Sequence, residues 1–259
     1  MFNIFLADSY KFFKSKTFYV SLFIALLFAT LMVVATYYGL ERMGEPGGPP
    51  QGAVPETAKA LYFSAIDSGI TLMLIAIVTS IFVANEYTTG VIKDTVSSGK
   101  SRTNIFISKI IITTISAFLI VLISAIYQLT LGTAFIGYGS SFNWSEVWLL
   151  TKTFLSAMVI ITAFNALFVT LTTAFKSLGA SLASNVGIIM FGGLIFSLIE
   201  LIHSVLENVG DYWLSNNLTE VVTNASINTF SFTPLIIASA YFVVSLVIGI
   251  KIFKKQDIK

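Results

Sequence analysis

Cysteine is absent from the 259 residues, and histidine occurs once. The first absence excludes disulfides and thiolate metal or redox centres. The second excludes a His-rich metal site and the HExxH protease pattern. Charge is scarce too: Asp, Glu, Lys and Arg make up 11% of the chain, against about 25% in a soluble domain. With 56% hydrophobic residues and a mean hydropathy of +0.87, this scarcity excludes an ordinary cytosolic enzyme, a nucleic-acid-binding domain and a disordered chain. Proline is rare and local. Four of five lie between Pro46 and Pro55, and the fifth, Pro234, opens the last apolar run, where the first helical turn tolerates it. The apolar runs are otherwise proline-free, which gives no support to proline-broken ion-binding helices.

What is present is a series of apolar runs near the ~20 residues a helix needs to cross a bilayer. Six stand out, near Phe18–Tyr38, Gly69–Ala84, Ile105–Phe135, Val147–Phe175, Leu178–Ile202 and Phe232–Phe253. They specify an all-α polytopic membrane protein with a single transmembrane domain over residues 1–259. The first run is too long for a signal-peptide core and reads as a retained anchor. The third is long for one crossing, so Gly132, Gly137 and Gly139 are expected to bend or end its helix.

Charge sets the orientation. Twelve of the fifteen Lys and Arg fall in the N-terminal segment, the second-to-third connection, the fourth-to-fifth turn and the C-terminus. Only Arg42, Lys59 and Lys152 fall on the other side. The positive-inside rule then places both termini in the cytoplasm, the parity that six spans require. Most acidic residues lie outward, as do Trp144, Trp148 and Trp213, which fit an outer interfacial belt.

The segments between spans carry further signals. Residues 1–16 read as an amphipathic interfacial helix, with Phe2, Phe5, Leu6, Phe12 and Phe13 on one side and Asp8, Lys11 and Ser15 on another. The first outer loop, 39–68, holds a Gly- and Pro-rich stretch that cannot continue a helix. Asn143 followed by Glu146 resembles a capping box at the fourth span. The outer loop 203–231 places Val205, Val209, Tyr212 and Trp213 at helical spacing, which predicts one or two short amphipathic or re-entrant helices.

The inner connection, 85–104, is the most informative. Glu86 to Val96 can form a short helix carrying Tyr87, Val91, Ile92 and Val96. Gly99 suits the left-handed position that ends a helix, and Ser101 or Thr103 can cap the next one. Glu86, Gly90 four positions on, the short helix, the small-residue turn Ser97-Ser98-Gly99, Arg102 and Lys109 form a pattern. In it the sequence resembles the ABC-2 type permease family, the membrane subunits of ATP-driven exporters. That family favours Gly-Thr after the acidic stretch and a Pro in the turn, where this chain has Gly90-Val91 and no Pro. The resemblance covers residues 85–109 by motif and nearly the whole chain by architecture.

The resemblance implies that the segment is a coupling helix docking into a separate cytoplasmic ATPase subunit. Tyr87, Gly90, Val91, Ile92, Val96 and Arg102 would shape and anchor it, and Glu86, Lys93 and Asp94 would set register at the rim. It also implies a second permease subunit, identical or related, and a path for amphipathic cargo, for which a peptide of the antimicrobial or immunity type is the best guess. ATP and Mg would belong to the partner, and the chain itself would not be an enzyme. Residues 94–101 end in Gly-Lys-Ser like a phosphate-binding loop, but Asp94 stands where that loop needs Gly, and no strand precedes it.

Polar residues in the spans are candidates for a pathway or gate: Gln128, Asn165, Asn185, Glu200 and His203. Interhelical hydrogen bonds are the alternative role for the two asparagines, and solvation of a helix end for Glu200 and His203. Small residues at Gly179, Ala183 and Gly187, and at Thr162, Ala166, Thr170 and Ala174, mark close helix packing within or between subunits. Two other functions compete with the exporter: an ATP-independent secondary transporter or channel, and a membrane scaffold or sensor. The sequence shows neither internal repeats nor mid-membrane charges, which the first of these needs.

Overall fold

The computed structural model describes residues 2–45, 47–50, 52–139, 141–202 and 208–256, with the side chains of residues 2 and 3 excepted. Ten α-helices account for most of them: α1 (Phe2–Lys14), α2 (Lys16–Glu41), α3 (Ala58–Ile66), α4 (Gly69–Thr88), α5 (Val91–Ser97), α6 (Arg102–Phe135), α7 (Trp144–Phe175), α8 (Leu178–Ile202), α9 (Leu214–Ser226) and α10 (Thr233–Lys255). There is no strand among the described residues. Six stretches are long and apolar enough to cross a membrane: α2, α3 with α4, α6, α7, α8 and α10. The protein is a multi-pass, all-helical membrane protein.

Local chemistry sets the helix ends. Asn143 Oδ1 accepts the Glu146 backbone N–H at 3.1 Å and starts α7. The Glu146 carboxylate does not close a reciprocal box; it binds Lys59 Nζ at 2.8 Å and accepts the Tyr138 hydroxyl at 3.1 Å. Ser101 Oγ accepts the Asn104 N–H and caps α6, and Pro234 sits in the first turn of α10. Lys176, in the left-handed region at φ 57°, makes the tight turn from α7 to α8.

α7 is the central post, with 72% of its most apolar window buried, against 11% for α8. It packs most extensively on α10. There the stripe Ala166–Thr170 meets Gly249, where a Cβ would lie 2.1 Å from the Phe106 ring and 2.7 Å from Thr170 Oγ1. α2 uses a narrow seam of Phe18, Ser21, Ala25, Ala29, Val33 and Thr36 and leaves the rest of its surface exposed or half-exposed.

Three expectations are revised. First, the loop over 39–68 contains a buried helix. Ala58, Leu61, Ala65 and Ile66 of α3 are at most 1% exposed, and Asp67 and Ser68 break the chain before α4. Second, Gly132 does not bend α6. It lies within the helix and lets α3 approach, its Cβ position being 3.1 Å from Ala58 Cα. Gly137 and Gly139, at φ 99° and 92°, follow the helix end as expected. Third, Trp213 is not in an interfacial belt. Trp144 and Trp148 are exposed, but Trp213 is 3% exposed and lies against Gly192, Phe164 and Phe196.

Candidate functional site

The basic end of the bundle carries α1 and the C-terminal end of α10. The stretch read as one short helix from Glu86 to Val96 is divided there. α4 runs on to Thr88 and is followed by Gly90 at φ 77° and then α5. Only glycine adopts that conformation without strain, so Gly90 sets the angle at which α5 leaves α4. Gly99, at φ 78°, ends the segment after Ser97 and Ser98. α5 is anchored by Ile92, which is buried in a cluster with Ile4, Val83, Ile105 and Phe253. Val91 and Val96 are half-buried, while Lys93, Asp94, Ser97 and Ser98 are exposed. Ile92, with Val96 packed beside it, thus holds a helix whose polar face is exposed.

Glu86 is not at the rim. It is 6% exposed, and its Oε2 lies 2.5 Å from Lys109 Nζ. The same ammonium binds Asp8 Oδ1 at 2.8 Å, and Ser108 Oγ donates to Asp8 Oδ2 at 2.7 Å. A buried cluster therefore ties α1 to α4 and α6, immediately beneath α5. Glu86 Oε1 has no hydrogen-bond partner among the described residues. Two carboxylates share one ammonium, an arrangement in which removing the cation costs far more than the intact pair contributes.

A second tie closes this end. Arg102 Nη1 donates to the carbonyls of Lys254 at 2.8 Å and Gln256 at 2.7 Å, which caps the C-terminus of α10. The Tyr87 hydroxyl donates to Gln256 Oε1 at 3.3 Å, and Gln256 Nε2 donates to the Thr173 carbonyl at 2.6 Å. Tyr87 and Arg102, two residues of the coupling pattern, thus hold α10 against α4, α6 and α7.

Above the ion cluster, α4 is joined to its neighbours by amides. Asn165 Oδ1 accepts the Thr79 hydroxyl at 2.8 Å, and its Nδ2 donates to Thr113 Oγ1 at 2.8 Å. Asn185 Nδ2 donates to Ser80 Oγ at 2.8 Å and Thr172 Oγ1 at 3.0 Å. Both asparagines are fully buried, so they link α4 to α6, α7 and α8. Gln128 is buried on α6 with its Oε1 unpartnered among the described residues.

At the opposite end, Glu200 Oε1 accepts the Gly210 N–H at 2.6 Å, which fixes a 3-10 turn over Val209–Tyr212. α9 follows, burying Leu214, Leu218, Val221 and Ala225. Two short helices do occupy this loop: the 3-10 turn takes in Val209 and Tyr212, and α9 begins after Trp213. His203 and Val205 lie outside the described residues. Asp67 Oδ1 accepts the Thr219 hydroxyl at 3.1 Å, joining the α3–α4 break to α9. Tyr138, outside the spans, has its hydroxyl pushed up to about 12 by burial and by the Glu146 charge.

Among the described residues the small-residue stripe of α8 packs on nothing: a Cβ at Gly179 or Gly187 would meet no atom within 4 Å, and Ala183 is exposed. The buried side of α8 is instead Ser181, Asn185 and Gly192. Reading the sequence alone missed Asp8 as a buried partner, although it sits four residues from both Ile4 and Phe12, the other buried positions of α1. That spacing was the available signal.

No curated protein matches the chain. Residues 44–259 match the family model described as "Protein of unknown function (DUF2705)". The match spans the α3-to-α10 bundle with its ion-cluster residues Glu86 and Lys109, well over half of the protein, which therefore belongs to this family.

Proposed function

We propose that this chain is the membrane subunit of an ATP-driven exporter of the ABC-2 type. α5 would be the contact for a separate ATPase subunit. The observation that carries the reading is the build of α5: a short helix between two spans, pinned by Ile92, set off by left-handed Gly90 and Gly99, and exposing Lys93, Asp94, Ser97 and Ser98. An ordinary connection needs neither the pin nor the fixed exit angle. The hydrogen bonds of α4 to α7 and α8 and its ion pair to α6 support a role in passing a push on α5 into the bundle.

In this reading the basic end is cytoplasmic and the protein resides in the plasma membrane. A second permease subunit, a copy or a relative, completes a path for an amphipathic cargo of peptide type. ATP and Mg are bound by the ATPase.

The test is purification of the tagged full chain from its native membrane, with mass spectrometry of co-purifying proteins. A stoichiometric ATPase is expected, lost in K93E/D94K, which leaves the fold untouched because both side chains are exposed. Gly90→Ala forces a side chain into the left-handed region, at about 1 kcal/mol, and is expected to lower ATPase recovery by reorienting α5. A chain that purifies alone, under crosslinking as well, sinks the reading.

A further inference from the structure

A cleft of about 410 Å³ opens between α1 and α5 at the basic end. Its volume is within the roughly 300–1,000 Å³ of small-molecule sites. Ile4, Val91 and Ile105 supply apolar wall. Asp8 and Lys109 form part of the floor, and their charges are already committed to each other and to Glu86. Lys11, Lys100 and Asp94 are the other ionisable groups of the lining, and all three are exposed. Among the described residues none of the three makes an ion pair. The exposed mouth of the cleft thus carries two ammonium groups against one carboxylate, while the buried floor holds two carboxylates on one ammonium, so the basic character lies at the mouth and not at the floor.

Its surroundings identify the phase it faces. Leu6 and Tyr10 on the outer side of α1 are 49% and 63% exposed, and α2, the first span, follows one residue after α1. An amphipathic helix of this kind lies in the interfacial layer, so the cleft opens where lipid headgroups are. A phosphate diester meets Lys11 and Lys100, the glycerol and first methylenes meet the apolar wall, and a headgroup hydroxyl can donate to Asp94.

We infer that the α1–α5 cleft binds the headgroup of an anionic glycerophospholipid, held by Lys11 and Lys100. The site does not depend on the exporter reading, because lipid binding can be measured on the isolated chain.

The experiment uses the full chain in nanodiscs of phosphatidylcholine, with or without phosphatidylglycerol, followed by native mass spectrometry of the lipid retained on release. Preferential retention of phosphatidylglycerol is expected, with the preference falling at least about tenfold in K11Q/K100Q. Melting temperature and monodispersity verify that the variant is folded, as expected for two exposed positions. K254Q/K255Q removes the same charge at the same end but outside the cleft, and is expected to keep the preference. An equal loss in that control would overturn the site in favour of diffuse attraction to a basic surface. Displacement of the lipid by millimolar inorganic phosphate would overturn it in favour of a soluble anion. Equal retention of both lipids by the parent chain would also overturn it. Loss of the ATPase with lipid preference intact would leave this inference standing, so the two proposals fail separately.

Discussion

Asp8 and Lys109 lie at opposite ends of a 101-residue separation in the chain and 2.8 Å apart in the fold, both almost fully buried. Their contact joins the N-terminal helix α1 to α6, and Glu86 on α4 completes it at the same ammonium.

Removing that ammonium exposes the arrangement. Lys109→Met leaves Asp8 and Glu86 buried without a cation, and is expected to destabilise the protein by about 3–5 kcal/mol. The triple variant D8N/E86Q/K109M removes every charge together and is expected to recover most of the loss, since an apolar or neutral replacement of a whole buried cluster is often near neutral. Unfolding in detergent, followed by circular dichroism, compares the two. If the single variant matches the parent, the cluster carries no structural weight.

The glycines of the spans divide sharply. At Gly249 a methyl group would overlap the Phe106 ring and Thr170 Oγ1, so Gly249→Ala is expected to cost roughly 1–3 kcal/mol by overpacking the α7–α10 contact. At Gly179 and Gly187 the same methyl group meets nothing within 4 Å, and alanine there is expected to leave the stability of the isolated chain unchanged or to raise it by up to about 1 kcal/mol through helix propensity. The three variants can be ranked by melting temperature; an equal loss at all of them contradicts the packing described here.

Trp213 can be read optically. In a W144F/W148F background its emission is expected to be blue-shifted and shielded from acrylamide, because the indole is enclosed by Gly192, Phe164 and Phe196. Gly192→Ala would place a methyl carbon 2.2 Å from the ring and is expected to shift the emission red as the ring is expelled. Trp213→Ala should cost about 3–5 kcal/mol. A fully quenchable Trp213 would refute the buried placement.

The spans and the helical class were legible in the sequence because apolar length is a local property, and so were the caps at Asn143 and Ser101. The buried partners were not. Asp8 reads as one more polar residue on an amphipathic helix until Lys109 is brought to it. Glu86 reads as exposed because an acid beside a loop is ordinarily solvated. Asn165 and Asn185 were visible as polar residues in apolar helices, but only the fold supplies Thr79, Ser80, Thr113 and Thr172 opposite them. α3 escaped because nine residues fall short of a crossing and follow a Gly- and Pro-rich stretch, so they merge with the loop.

The break at Asp67–Ser68 has a consequence for how the protein is assembled in the membrane. Apart from a small contact with α2, the partners of α3 are made after it: Gly132 of α6 receives Leu61 and Ala58, the Leu150 carbonyl of α7 receives the Tyr62 hydroxyl, and Thr219 of α9 binds Asp67. When α3 leaves the ribosome it is a nine-residue apolar segment, too short to span a bilayer, with none of these groups yet synthesised. Its seat is complete only once α9 has emerged, so the second crossing is established in two stages. α4 is long enough to cross by its own length, so α3 is expected to be folded in after it, which truncated chains ending before and after α9 would test by protease protection of α3.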